Sequence, residues 1–282
     1  NVGREPGRGP VVRLTDRVRE ALEPILAPTS MVVLRSRRDR WTFRATDGRT
    51  TVAVHVDVAP DPDTIARTAT ALRAAAAAGI APDCLLADPA AGILVSSWAP
   101  GDPWTDGDLR VPRNLEALAR LLRTVHAVPC DLPPFDLAGH VASYRARATG
   151  PAAIGDRALR GDLDALEDLA AWHLETRRLT GLGHHDAHVG NVIGDPPVLI
   201  DWEYASRSDR AFDVATVTAL HALDPVSRSA FLDAFPDLDR RSFARHERLV
   251  LTLARVWARL EQIEAPTDPR ARVWAERLGV GR

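Results

Sequence analysis

The first third of the chain alternates apolar and polar residues in a way that predicts a small antiparallel sheet. Helical spacing over residues 14–26 precedes the three strands of a meander, and Asp47-Gly48 supplies a turn signal within it. A second helix opens after Pro62 and is closed by Gly79. The strand candidates along this part of the chain are 31–35, 41–45, 50–58, 84–87 and 92–98.

After about residue 99 the apolar spacing becomes helical. One exception lies at 192–200, where two short apolar strands flank the turn residues Gly-Asp-Pro-Pro. We therefore predict two domains, a mixed sheet domain over 1–99 and a largely helical domain over 100–282. The predicted helices of the second domain are 114–128, 156–178, 211–223, 227–235 and 243–264.

Composition and charge limit the kinds of partner. The 282 residues are 45% hydrophobic, which suffices for a sizeable core, and the formal net charge is −2. Charges of both signs are interspersed without a basic stripe, which argues against binding to nucleic acid or to a membrane surface. The sequence has no long apolar run and does not start with the apolar core of a signal peptide. We therefore expect a cytoplasmic protein whose partners are small molecules.

Residues 183–203, GHHDAHVGNVIGDPPVLIDWE, concentrate side chains that can bind a metal ion or accept a proton. His184, Asp186 and Asn191 lie on a loop before the first short strand, and Asp201 follows the second. Phosphoryl transfer uses such a set, because a carboxylate must accept the proton of the attacking hydroxyl and oxygen ligands must hold Mg²⁺ on the nucleotide phosphates.

The histidines of this stretch suggest a zinc site as an alternative. His184, His185 and His188 have a spacing that can chelate zinc on a helix. Glycines bracket them, however, and no helical apolar period runs through them, so the spacing loses its geometric meaning. We expect His185 to be an exposed loop residue, placed beside Asp186 where it could meet an acceptor.

The order HxDxxxxN, then a hairpin, then an apolar strand ending in Asp resembles the catalytic segment of the aminoglycoside phosphotransferase and choline kinase family, distant relatives of the protein kinases. The resemblance runs in order from about residue 31 to residue 223. It implies an α+β, bilobal, protein-kinase-like fold with a small antiparallel-sheet lobe and a larger helical lobe.

The resemblance also implies roles for the matching residues and a reaction. Asp186 would be the catalytic base, Asn191 and Asp201 would bind Mg²⁺, and His184 and Asp213 would support the loop. The nucleotide-binding positions would be Ala53, His55, Ser97, Trp98 and Ala99. The implied reaction is ATP- or GTP-dependent phosphorylation of a hydroxyl on a small molecule, such as an antibiotic, a metabolite or a peptide natural product.

One feature of the family is missing from the small lobe. The family's third strand carries a lysine that binds the phosphates, whereas this sequence contains no lysine, and His55 takes its place. Thr68 stands where the acidic partner of that lysine is expected. The arginines that could replace the lysine are Arg37, Arg38, Arg40 and Arg44.

Two explanations of this departure stay open. In the first, nucleotide still binds, and either one of these arginines or His55, held protonated by nearby negative charge, contacts the phosphates. In the second, phosphate binding is lost, and the protein is a catalytically silent pseudokinase that docks another protein.

Overall fold

The structure, a computed structural model, describes residues 10–37 and 40–280, and of residues 10–13 and 37 it describes the backbone alone. The chain forms two compact units. The first runs to Gly101 and includes Val198–Glu203, whereas the second comprises Asp102–Pro197 and the chain from Tyr204 onwards. A short segment from far along the sequence therefore belongs to the first unit.

An antiparallel sheet of five strands dominates the first unit, in the order β1-β2-β3-β5-β4. The predicted strands are confirmed, with small changes at their ends. Between β2 and β3 the Asp47 carboxylate accepts the backbone N–H groups of Arg49 and Thr50, and Gly48 adopts a φ of 92° that favours glycine. The strands are β1 (Ser30–Arg37), β2 (Arg40–Thr46), β3 (Thr51–Asp57), β4 (Cys84–Asp88) and β5 (Ile93–Ser97).

One face of this sheet is covered by helix α1 (Pro10–Leu22), which starts earlier and ends earlier than the predicted 14–26. Its side chains at Leu14, Val18 and Leu22 pack against the buried valines of β3, Val52, Val54 and Val56. Each such fully buried aliphatic side chain contributes roughly 1.5–3 kcal/mol. Because side chains alternate along a strand, Ala53 and His55 lie on the opposite face, as predicted. Helix α2 (Pro62–Ala77) follows β3, with the Asp61 side chain as its N-cap.

The second unit is built mainly from helices. Those predicted from the sequence are confirmed, and most begin at an aspartate N-cap whose carboxylate accepts a backbone N–H of the first turn. Two further helices escaped prediction. The first, α4, buries only three side chains on a weakly amphipathic surface, and the other, α9, is short and rich in arginine. The helices are α3 (Pro112–Ala127), α4 (Leu137–Arg147), α5 (Arg157–Thr176), α6 (Arg210–Leu220), α7 (Pro225–Asp233), α8 (Arg240–Glu264) and α9 (Pro269–Arg277).

Short strands lead into and out of the predicted catalytic stretch. Strand β6 (Gly181–Gly183) pairs antiparallel with β9 (Ser206–Ser208), and the predicted apolar strands are present as β7 (Val192–Ile193) and β8 (Val198–Leu199). Over the described residues, no helix is both long and apolar enough to cross a membrane.

Candidate active site

The candidate residues fall in both compact units, and the loop between β6 and β7 carries those of the second unit. On this loop, Nδ2 of Asn191 donates hydrogen bonds to the carboxylate Oδ2 and to the backbone carbonyl of Asp186, each at 2.9 Å. The Asp186 side chain is 35% exposed, whereas Asn191 is buried. The Asn191 amide therefore fixes the orientation of a carboxylate that solvent can still reach. The side-chain carbonyl oxygen of Asn191 points away from Asp186.

Asp213 on α6 anchors this loop from beneath. Its fully buried carboxylate accepts the backbone N–H groups of His184 at 2.9 Å and His185 at 2.7 Å, and its Oδ2 lies 3.1 Å from Nε2 of His126. Burial by itself would raise the pKa of the Asp213 carboxyl, but the hydrogen bond and charge of His126 outweigh it and hold that pKa far below its usual range. His184 adds a local contact, because its Nδ1 accepts the backbone N–H of Asp186 at 3.3 Å.

The prediction that His185 is an exposed loop residue is wrong. Its side chain is buried, its φ is 62°, and its ring stacks on Phe135 with 4.4 Å between the centroids. The two ring nitrogens lie within hydrogen-bonding distance of the hydroxyls of Ser206 and Ser208. The left-handed backbone conformation at His185 turns the ring inwards against Phe135, fifty positions earlier. Local sequence does not reveal a contact over that distance.

A second anchor of the loop was not predicted. Nε2 of the buried His221 accepts the backbone N–H of Val189, and its Nδ1 lies 2.6 Å from a carboxylate oxygen of Asp106, which also pairs with Arg277. Because burial lowers the pKa of His221 to about 4, the ring is neutral at pH 7, so its single proton is on Nδ1 and is donated to Asp106. These residues are more than 30 positions apart in sequence.

A pocket of about 450 Å³ opens beside this second anchor. Its lining combines apolar, acidic and basic side chains. They include Asp106, Leu109, Arg110, His221, Asp224 and Ser227. This volume is in the range of sites that hold small molecules.

In the first unit, Asp201 occupies a strained position two residues after β8. Its φ of 64° is uncommon for a residue with a side chain, costs roughly 1–3 kcal/mol, and persists only where the surrounding structure enforces it. Its Oδ2 lies 3.2 Å from Nη1 of Arg35 on β1. Strain of this kind is concentrated at functional sites.

His55 lies half-buried on the open face of the sheet, with Nδ1 3.2 Å from the Thr42 hydroxyl. Burial lowers its pKa, the charge of Asp201 opposes that shift, and the charges of Arg40 and Arg35 add to it. The neutral ring is thus favoured in the structure as it stands. At the position of the acidic partner, the hydroxyl of Thr68 donates a hydrogen bond to the Thr64 carbonyl within α2.

The predicted replacement arginines differ in their surroundings. Arg40 pairs with Asp57, at 2.7 Å, and with Glu203, while the guanidinium of Arg44 lies over the Trp98 ring, 4.8 Å from its centroid. Arg38 and the side chain of Arg37 lie outside the described residues.

The predicted adenine-binding segment follows β5. Ala53 pairs with Ser96 across the sheet, and the backbone N–H groups of Ser97 and Trp98 donate to the carbonyls of Asp83 and Thr51. Ala99, which comes next, is buried.

The rings of the three histidines considered for zinc have different partners. His184 accepts the Asp186 N–H and His185 stacks on Phe135. Nδ1 of His188 accepts the Gly190 N–H, its Nε2 lies 3.8 Å from Oδ2 of Asp186, and its ring packs edge-on against Trp274. Within residues 10–37 and 40–280, no group of three or more His, Cys, Asp or Glu side chains is arranged to hold a metal ion. The carboxylate and amide oxygens of Asp201 and Asn191 are instead of the donor type that Mg²⁺ prefers, together with water and phosphate oxygens.

The model of the phosphotransferase enzyme family, APH, matches residues 32–249. The chain belongs to this phosphotransferase family. The family resemblance predicted from HxDxxxxN and its neighbours is thereby confirmed. No curated protein sequence matches the chain.

Solved structures share the fold of this phosphotransferase at low sequence identity. A choline kinase, LicA, from Streptococcus pneumoniae has a TM-score of 0.72 at 18% identity, over 95% of this chain and 99% of its own. A choline/ethanolamine kinase family protein from Mesorhizobium loti has a TM-score of 0.68 at 20% identity, over 94% and 92%. The aminoglycoside phosphotransferase APH(4)-Ia has a TM-score of 0.65 at 15% identity, over 94% and 97%. The predicted α+β, protein-kinase-like fold is confirmed.

We expect buried neutral histidines to make this protein less stable in mild acid. Burial lowers the pKa values of His173, His185 and His221 to about 4, from an unfolded value of about 6.5. Between these pH values the unfolded chain binds more protons than the folded one, so stability falls as the pH falls through that window. We expect the free energy of unfolding, from urea titrations, to drop by several kcal/mol, on the order of 1–3 for each ring, between pH 7 and pH 4.5.

A histidine variant tests whether these rings cause the loss of stability at low pH. Replacing His173, which lies outside the predicted site, by glutamine removes one of these titrations and should make the pH dependence of the free energy of unfolding shallower. If the free energy of unfolding of this variant changed with pH as steeply as that of the wild type, the lowered pKa of His173 would be contradicted.

Proposed function

We propose that this protein transfers the γ-phosphate of ATP or GTP to a hydroxyl group of a small molecule. The observation that carries the proposal is the Asp186 carboxylate, which is partly exposed and oriented by Asn191. Such a carboxylate can accept the proton of an attacking hydroxyl, provided that it is held in place before the acceptor arrives.

The reaction needs few steps from the protein. Asp186 takes the hydroxyl proton as the acceptor oxygen bonds to the γ-phosphorus, and the bond from that phosphorus to the bridging oxygen breaks and leaves a nucleoside diphosphate. Asn191 and Asp201 are the proposed ligands of Mg²⁺, which neutralises charge on the phosphates when bound. Asp213, His184 and the His221 anchor keep the loop rigid, so that Asp186 loses little entropy on reaction.

A nucleotide as the phosphate donor is supported by the bound states of two relatives. LicA has been crystallised with AMP, and an APH(4)-Ia mutant with ADP and hygromycin B. We propose that Ala53, Trp98 and the segment from Ser97 to Ala99 contact the adenine or guanine ring.

The acceptor is proposed to be a small molecule such as an antibiotic, a metabolite or a peptide natural product. The pocket beside Asp106 and His221 supports this class, because its volume suits such a molecule and His221 connects it to the loop of Asp186 through Val189. A cytoplasmic location accords with the need for ATP or GTP and stays part of the proposal.

Calorimetry with ATP and with GTP, each in the presence of Mg²⁺, tests the proposal. We expect saturable binding of at least one nucleotide, and the Asp201→Asn variant should lose the part of the affinity that depends on Mg²⁺. Incubation with a panel of hydroxylated antibiotics and metabolites should then give a product that has gained one phosphate group by mass spectrometry. A wild-type protein that binds neither nucleotide would favour the alternative of a pseudokinase that docks another protein.

A further inference from the structure

The open face of the first unit's sheet lacks the usual cation on its third strand. His55 occupies that position, but its neutral ring is favoured, and Nδ1 lies against the Thr42 hydroxyl. If the protein binds a nucleotide, as proposed above, the phosphates require another positive group on this face.

A β-bulge in β1 brings an arginine onto this face. Val33 pairs with Phe43 and Arg35 with Thr42, so Leu34 is an extra residue in β1. In an unbroken strand Arg35 would point to the same side as Val33, towards the core face that Phe43 occupies. The bulge shifts the alternation by one residue and thereby turns Arg35 to the opposite face.

On that face Arg35 completes a row across three strands. Arg35 is opposite Thr42, and Thr42 is opposite His55, so the three side chains project from the same side of the sheet. The arginine thus stands two strands away from the position where the family carries its lysine, and in line with it.

The contacts of Arg35 suit a group that meets a ligand. Nη1 lies 3.2 Å from Oδ2 of Asp201, the side chain is about one-third exposed, and Nε is buried without a hydrogen-bond partner among the described residues. A buried N–H donor without a partner costs about 1–3 kcal/mol, and the described residues hold two other arginine donors of this kind, Nε of Arg255 and Nε of Arg259. A phosphate oxygen is a strong acceptor for such a donor.

We propose that Arg35 is the phosphate-binding cation that replaces the missing lysine. Among the arginine side chains that the structure describes on β1 and β2, Arg40 pairs with Asp57 and Glu203 and Arg44 lies over Trp98, whereas Arg35 lies beside Asp201. Its fork of donors can bind two phosphate oxygens at once, where a lysine offers a single point charge. The inference rests on the proposed nucleotide-dependent reaction and assigns its phosphate contact to β1.

Calorimetry on Arg35→Ala tests this assignment, with ATP, ADP and adenosine as ligands in the presence of Mg²⁺ and in its absence. We expect ATP and ADP to bind about 10- to 100-fold more weakly than to the wild type, while adenosine binding is unchanged. The matched control is Arg49→Ala, which removes one exposed arginine from the turn after β2 and should leave all three affinities unaltered.

A second experiment moves the positive charge from β1 to β3. In the Arg35→Ala background, His55→Lys places a cation at the family's usual position and should recover a large part of the lost ATP affinity. Arg35→Met keeps the apolar part of the side chain. It replaces Arg35→Ala in these measurements if Arg35→Ala has a lowered unfolding midpoint.

The possible failures are distinguishable. If the wild type binds neither ATP nor GTP, the proposed function itself fails. If the wild type binds nucleotide and folded Arg35→Ala or Arg35→Met binds ATP equally well, or loses adenosine to the same extent as ATP, the proposed function stands and the role of Arg35 is overturned.

Discussion

Asp186→Asn is expected to lower the rate of phosphate transfer by roughly 10²–10⁴-fold while leaving nucleotide affinity close to that of the wild type. The asparagine has nearly the same shape and can still accept the hydrogen bond from Asn191, so the loop should keep its conformation. It cannot take up a proton from the acceptor hydroxyl. The measurements are kcat with an acceptor found in the phosphorylation panel and the nucleotide Kd by calorimetry.

The matched control for this variant is Asp168→Asn, which removes an exposed carboxylate from α5. Its kcat should equal that of the wild type. If Asp186→Asn also kept full kcat, the carboxylate would not be the base, and a protein whose biological output survived this change would favour the pseudokinase alternative.

The largest expected effect on stability comes from Asp213→Asn. The carboxylate accepts three hydrogen bonds in a fully buried position, two from backbone N–H groups and one from His126. An asparagine presents one oxygen and one NH₂ group, so at least one buried donor would face another donor. We expect a loss of about 3–5 kcal/mol in the free energy of unfolding, measured by urea titration at pH 7.

Thr216→Val is the control on the same helix. It removes one buried hydroxyl whose hydrogen bond goes to the Phe212 carbonyl one turn earlier, and the two side chains have similar volumes. The expected loss is about 1 kcal/mol. A loss for Asp213→Asn no greater than that of Thr216→Val would mean that the carboxylate does not anchor the loop.

The pH dependence of this difference provides a further check. The folded pKa of Asp213 lies far below its unfolded value of about 3.9, so the folded state binds fewer protons there than the unfolded state. Its stabilising contribution is therefore complete above about pH 4 and is lost as the pH falls towards the folded pKa. The gap between wild type and Asp213→Asn should be constant from pH 7 to pH 5 and narrow at lower pH.

Local sequence was sufficient for most of the architecture. Alternation identified β3 and its two faces, and helical spacing of apolar residues identified helices such as α5 and α6. The residues assigned to proton transfer and metal binding lie within one stretch of 21 residues, and the resemblance to the family extended in order from about residue 31 to residue 223. Strands, helices and the catalytic stretch depend on residues that are close together in the chain, and these are visible in the sequence.

Other features exist only through contacts between distant segments. The ring of His185 is buried because Phe135 and two serines of β9 contact it. His221 reaches the loop because Asp106, which itself pairs with Arg277, accepts the hydrogen bond of its other nitrogen. The helices α4 and α9 bury too few side chains to show a strong period in sequence. None of these arrangements leaves a local pattern.

The missing lysine shows most directly what the sequence determined and what the tertiary structure decided. The sequence established that no lysine is present and that His55 stands in its place. Simple alternation from Val33 would assign Arg35 to the core face. Only the pairing of β1 with β2 reveals the extra residue that turns this arginine to the face of His55, because a bulge is set by how two strands meet rather than by the composition of either one.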